Sequence, residues 1–118
     1  KVWLPSGGTI IFDFCEAMTV VDVNTGKFTG RKGLASTIVK TNLEACQEIA
    51  RQLRLRNLGG VIMIDFIDME SPEDRQKLYE EFEKILKKDR IKTVLHGYTS
   101  LGIMEMTRKK TRMPLLAL

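Results

Sequence analysis

The chain has 118 residues, with 19 Lys and Arg against 15 Asp and Glu, a formal net charge of +4, 43% hydrophobic and 29% charged residues. This balance fits one globular domain and excludes a disordered chain, a collagen-like repeat and a disulfide scaffold. No apolar run approaches the length of a membrane span.

Gly7-Gly8 reads as a turn before a first strand, Thr9 to Phe14. Cys15-Glu16 is a tight connection to a second strand, about Ala17 to Val23, and two strands joined so briefly should pair antiparallel. Asn24-Thr25-Gly26-Lys27 signals a turn, and Gly30 to Gly33 a loop carrying Arg31 and Lys32. Ile38, Ala45, Cys46, Ile49, Ala50 and Leu53 recur at helical spacing and predict a long helix from about Ser36 to Arg56. Asn57-Leu58-Gly59-Gly60 should stop it, with glycine supplying the left-handed conformation of a C-cap.

Val61 to Ile67 is almost continuously apolar, as expected of a central strand buried on both faces. Ser71-Pro72-Glu73-Asp74 is a helix start, with a capping hydroxyl, a proline suited to the first turn and acids at the positive end of the dipole. That helix should bury Leu78, Phe82, Ile85 and Leu86 and reach about Lys88, with Lys87-Lys88 at its negative end. Strands follow at Lys92 to Tyr98 and Ile103 to Arg108, then a basic and finally apolar tail, Met113 to Leu118, that would need a partner surface. The predicted fold is α/β: a mixed sheet of about five strands with two crossover helices and an antiparallel N-terminal strand pair. A start at Lys1 without a leader is the expectation of a piece of a longer protein. Cys15 and Cys46, isolated from each other, read as free thiols unable to form a four-cysteine zinc site.

The chemically informative run is Val61-Ile62-Met63-Ile64-Asp65-Phe66-Ile67-Asp68. A carboxylate inside an apolar strand is costly unless paired, hydrogen-bonded or bound to metal. Asp65 falls near the C-terminal end of its strand, where α/β sheets carry their ligand crevice. Asp22 holds a similar place in the second strand, and Asn24, two residues on, points the same way. Two carboxylates and an amide oxygen converging from neighbouring strands make a hard oxygen site of the kind magnesium prefers. The same residues equally suit a strand end at Asp22 and a turn cap at Asp65, and the pattern leaves both readings open. Asp68, three residues from Asp65, should point to the opposite face of a regular strand, which makes it a supporting residue at most; Asp13 and Glu16 are further supporting acids beside the first turn. His96, the single histidine, excludes a His-rich zinc site and reads as a strand residue with one satisfied nitrogen. Arg108, Lys109, Lys110 and Arg112 form the densest basic cluster, able to neutralise phosphates or simply to face water. Tyr98 and Phe28 have rings that can stack on bases, although packing is their commoner use.

Four segments occur in order: Leu4 to Gly8, Val21 to Asn24, Thr41 to Ala45, and Ile49 to Gly60, followed by Ile64 to Met69 and by Gly102 to Arg108. Together they resemble the ribonuclease E/G family in its catalytic, DNase I-like subdomain, over nearly the whole chain. The resemblance implies a single catalytic subdomain, 1–118, of a cytoplasmic magnesium-dependent endoribonuclease, with manganese as a substitute ion. Such an enzyme cuts single-stranded RNA in RNA processing and decay and leaves a 5′-phosphate on the downstream product. It places the metal ligands on Asp22 and Asp65 and the catalytic asparagine on Asn24. The family's S1 domain, 5′-end sensor and ribonuclease H-like portion have no counterpart in this chain, nor does its zinc link. The family implies a homo-oligomer for the whole protein; this piece alone is expected as a monomer or weak dimer, of feeble activity and without a membrane partner. The competing function is a non-catalytic RNA-binding or scaffold module using Arg51, Arg54 and Arg56 together with the Arg108 to Arg112 cluster. A phosphoacceptor signalling domain is disfavoured by the antiparallel start and by the lack of an acidic pair after the first strand.

Overall fold

The computed structural model describes residues 1–15, 17–25 and 34–111. The elements in chain order are β1 (Val2–Trp3), β2 (Thr9–Phe14), β3 (Met18–Asn24), α1 (Leu34–Leu55), β4 (Gly60–Asp65), α2 (Pro72–Leu86), β5 (Thr93–Tyr98) and β6 (Met104–Arg108). The expected strands and both helices are present, and a sixth strand, the two-residue β1, pairs antiparallel with β2. Two residues are too few to show an alternating pattern, so β1 has no signature in the sequence.

The strands lie in one sheet in the order β1-β2-β3-β4-β6-β5. Among the described residues only β3 and β4 are adjacent and parallel; every other neighbouring pair is antiparallel. The β3-α1-β4 and β4-α2-β5 connections both step the same way along the sheet, the second passing over β6. Right-handed crossovers in one direction put both helices on one face. That face carries Ile10, Val21, Val23, Ile62, Ile64, Leu95, Met104 and Met106, buried against Ala45, Cys46, Ile49, Leu53, Leu78, Phe82 and Leu86 of the helices. Among the described residues β4 is therefore covered by helices on one side only. Ile62 and Ile64 are fully buried, whereas Val61 and Met63 on the other face are only partly so. The expectation of burial on both faces is corrected: among the described residues both helices lie on one face.

Local chemistry shapes the ends of the elements. Ser71 caps α2, its hydroxyl accepting from the Asp74 N–H, with Pro72 in the first turn. At the end of α1 it is Asn57, at φ 49°, rather than a glycine, that takes the left-handed conformation, and Leu58 N–H returns to the Leu53 carbonyl. Gly59 serves packing instead: a Cβ there would lie 2.8 Å from the Lys110 Cα. The Gly7-Gly8 turn divides two duties. Gly7 adopts φ 98°, and Gly8 sits where a Cβ would come within 2.7 Å of both the Asn24 carbonyl oxygen and the Thr41 Cγ2. The turn from Asn24 onward, the Arg31-Lys32 loop, Phe28 and the apolar tail lie largely or wholly outside the described residues.

Candidate active site

In the parallel β3–β4 pair, Asp22 and Asp65 are direct Cα partners. Adjacent strands are about 4.8 Å apart, so both carboxylates reach one common point above the sheet. Val21, Val23 and Ile64 point into the core, and alternation sends Asp22, Asn24 and Asp65 to the face without helices. Asn24 lies about 7 Å beyond Asp22 at the same strand end. The close approach of Gly8 to its carbonyl fixes the backbone there.

Asp68 lies three residues past the last residue of β4. β4 ends at Asp65, so strand alternation no longer governs the residues after it. The carboxyl of Asp65 is pushed above the ordinary carboxylate range by partial burial, by the charge of Asp22 and by that of Asp68, in that order. Asp68 is thus within electrostatic reach of Asp65. It also borders two clefts. One of about 400 Å³ lies between Phe66–Glu70 and Tyr98–Ser100, and one of about 300 Å³ is bordered by Ile38 and Ser71. A larger groove of about 800 Å³ runs between α1 and α2, on the other side of the sheet from the carboxylates. Asp13 is exposed on β2 opposite Val20, two positions from the partner of Asp22, and does not join the pair. Glu16 lies outside the described residues.

This donor set consists of hard oxygens. Among the described residues no three His, Cys, Asp or Glu side chains converge to hold a metal by themselves. A closed, zinc-like site is therefore not formed by them. Two carboxylates from adjacent strands, open to solvent, suit magnesium, which keeps most of its water and binds through one or two carboxylates. The repulsion from Asp22 and Asp68, which adds to burial in raising the Asp65 carboxyl, is what a bound cation would relieve.

The basic residues gather elsewhere. β4 runs away from Asp65 for about 17 Å to Gly60, at a strand rise of about 3.3 Å per residue. At that far end the exposed side chains include Arg54, Arg56, Lys87, Lys88, Arg90, Lys92, Lys109 and Lys110. Arg51 is exposed one turn earlier on α1 and pairs with Glu48 at 2.8 Å. Arg56 stacks 4.7 Å over the Phe14 ring. Arg108 corrects the expectation of a phosphate contact: its side chain is 2% exposed, bonded through Nε to Asp89 at 2.8 Å and through Nη1 to Asn57 Oδ1 and the Leu58 carbonyl. The strand period puts Arg108 on the core face with Met104 and Met106, where a charge requires an internal partner. Arg112 lies outside the described residues. His96 meets the expected single bond, Nε2 to Thr107 Oγ1 at 3.1 Å. Tyr98 donates to the Arg75 carbonyl, and burial first among the causes pushes its phenol up to about 12, so its ring belongs to the packing.

The sequence profile of the Ribonuclease E/G family matches residues 1–111. The chain belongs to that family. It is 57% identical over 112 residues to Ribonuclease G of Escherichia coli K12, covering 95% of this chain and 23% of the relative. It is 52% identical over 112 residues to Ribonuclease G of Haemophilus influenzae, with the same coverage. To Ribonuclease E of Synechocystis sp. it is 51% identical over 110 residues, covering 93% of this chain and 16% of the relative. This ribonuclease E/G chain therefore spans about a quarter or less of the length of those relatives.

Two features of this ribonuclease E/G chain have no role assigned to them by the motifs. Lys87, Lys88, Arg90 and Lys92 belong to the basic end; the sequence assigns Lys87 and Lys88 only to the helix dipole and Lys92 to the start of a strand. Asn42 is fully buried and bonded to both backbone groups of Ile67. Its signal was a polar residue on the apolar stripe of α1, four residues from both Ile38 and Cys46.

Proposed function

We propose that this chain is the catalytic subdomain of a magnesium-dependent endoribonuclease that cuts single-stranded RNA and leaves a 5′-phosphate on the downstream product. The observation that carries the reading is the register that sets Asp22 against Asp65 at the end of the parallel β3–β4 pair. Asp22 and Asp65 are the residues to hold the ion. When bound, magnesium supplies Lewis acidity at a phosphate oxygen and lowers the pKa of a coordinated water. The Asn24 amide, on the same face, can donate to a phosphate oxygen and orient the scissile group. Asp68 adds negative charge beside the pair. Membership of a family whose relatives are named ribonuclease G and ribonuclease E supports RNA as the substrate. A cytoplasmic location, a role in RNA processing and a homo-oligomeric full-length protein belong to the same reading. Among the described residues no helix is long and apolar enough to cross a membrane.

The test compares wild type and Asp65→Asn in the full-length protein, on a labelled single-stranded RNA with magnesium, reading both cleavage rate and the 5′ end of the downstream product. The rate should collapse in the variant. Full activity of Asp65→Asn would sink the assignment.

A second reading, RNA capture without catalysis, draws on the basic end of the sheet. Arg51, Arg54, Arg56, Lys109 and Lys110 are all exposed there or one turn away. It requires salt-dependent RNA affinity that a chelator leaves unchanged.

A further inference from the structure

One turn of α1 contacts the two segments that flank the carboxylate site, the Leu4–Gly8 loop and the chain just past β4. Thr41 Oγ1 meets Ser6 Oγ at 3.0 Å, and Glu44 Oε1 accepts from the Ser6 N–H at 3.0 Å. These bonds hold the Leu4–Gly8 loop, whose Gly8 abuts both Thr41 and the carbonyl of Asn24 at the end of β3. Between them Asn42, 0% exposed, reaches the segment that follows β4. Its Nδ2 donates to the Ile67 carbonyl at 3.0 Å and its Oδ1 accepts from the Ile67 N–H at 3.1 Å.

Ile67 lies two residues beyond Asp65 and immediately before Asp68. The chain there has left β4 and has lost the ladder that holds a strand straight. A side-chain amide that satisfies both backbone groups of one residue substitutes for a ladder partner. It fixes the direction in which the chain leaves the strand end. A polar side chain in a fully apolar stripe is costly unless completely bonded, and here every buried side-chain polar atom among the described residues has a partner.

Resting on the metal reading above, we propose that Asn42 is a positioning residue for the carboxylate site: it clamps Ile67, and so holds Asp65 and Asp68 in the arrangement that binds a divalent cation. Asn42 touches neither the ion nor the RNA. Its effect passes through the backbone between Asp65 and Asp68.

The test uses manganese alone, as a paramagnetic probe, on the full-length protein. Site occupancy is defined as the binding that wild type shows and Asp65→Asn loses. Asn42→Ala should weaken that binding at least tenfold at a temperature where the variant is fully folded. Leu53→Ala is the control, a buried residue of the same helix, 1% exposed and eleven residues further along. It should lower the melting temperature but leave manganese affinity within twofold. If Asn42→Ala does not fold, Asn42→Ser, whose hydroxyl cannot span both Ile67 groups, is read in the same way. Wild-type affinity in the folded Asn42 variant overturns the positioning role alone. Equal loss in Leu53→Ala also overturns it, by showing that any loosening of the core suffices. Equal manganese binding by wild type and Asp65→Asn overturns the metal reading, and the positioning role falls with it.

Discussion

Arg108 and Asp89 form an ion pair of 2.8 Å in which the two side chains are only 2% and 4% exposed. Arg108 also bonds Asn57 Oδ1 and the Leu58 carbonyl, so the end of β6 is tied to the α1–β4 connection and to the segment after α2. Removing one partner of such a pair strands a buried charge, at a cost of about 3–5 kcal/mol. Arg108→Ala is therefore expected to lower unfolding stability by that order, measured by urea titration. An RNA-contacting arginine would instead lose affinity at unchanged stability.

The same pair sets a pH dependence. Burial alone would raise the Asp89 carboxyl. Hydrogen bonds from Arg108 and the Ile91 N–H, with the charges of Arg108 and Arg54, outweigh it and hold the carboxyl below its ordinary value. A depressed folded-state pKa means that the unfolded chain binds the proton more readily. The contribution is then complete above the unfolded value of about 3.9 and is lost as pH falls through the lower folded value. Unfolding midpoints measured across the acid range should fall more steeply in wild type than in an Asp89→Asn, Arg108→Met double variant.

Asp65 behaves with the opposite sign. Its carboxyl is raised in the fold, so folding binds its proton more tightly and stability declines as pH rises from the unfolded value through the folded one. Asp65→Asn, which removes the repulsion from Asp22 and Asp68, is expected to stabilise the metal-free protein at pH 7. The gain should vanish at a pH below both values, where the wild-type carboxyl is neutral. Denaturant titrations at the two pH values, with a chelator present, check both parts. A site whose inactivation stabilises the fold is one held in place against its own electrostatics.

Gly8→Ala puts a methyl group 2.7 Å from the Asn24 carbonyl oxygen and from Thr41 Cγ2. Neither neighbour is the free end of a flexible side chain, so overpacking of about 1–3 kcal/mol is expected. Gly7→Ala meets nothing within 4 Å and bears only the backbone penalty of φ 98°, about 1–2 kcal/mol. Melting temperatures should fall in both. Only Gly8→Ala should also shift the amide resonances of Asn24 and its β3 neighbours.

At the basic end, charge reversal tests polyanion binding apart from catalysis. Each phosphate contact removed should flatten the dependence of log affinity on log salt by about 0.7 for a single strand. Arg54→Glu and Lys109→Glu should each do so in anisotropy titrations with a chelator present. Asp65→Asn should leave the slope unchanged. Unaltered slopes in both reversals would remove these residues from the RNA path.

Much of this molecule is written in local patterns. The periodicity of α1, the Ser71-Pro72 start of α2 and the alternation of β3 each depend on neighbours a few residues away, so the elements and the facing of Asp22 and Asn24 follow from the sequence. The motif from Ile49 to Met69 carries the family, and with it the expectation for Asp65. What the sequence could not decide is set by contacts between distant segments. Register alone makes Asp22 the partner of Asp65 rather than a neighbour one step away. The ending of β4 at Asp65 frees Asp68 from strand alternation. Arg108 looks like its neighbours Lys109 and Lys110 in the sequence, yet sheet pairing turns it into the core, where Asp89 and Asn57 wait for its charge. Asn42 bonds a residue 25 positions away, and the basic end assembles from the termini of two helices and two strands. Local chemistry thus determined which elements form and which residues can do chemistry; the tertiary structure decided which of those residues meet, because pairing and burial are settled by the whole sheet at once.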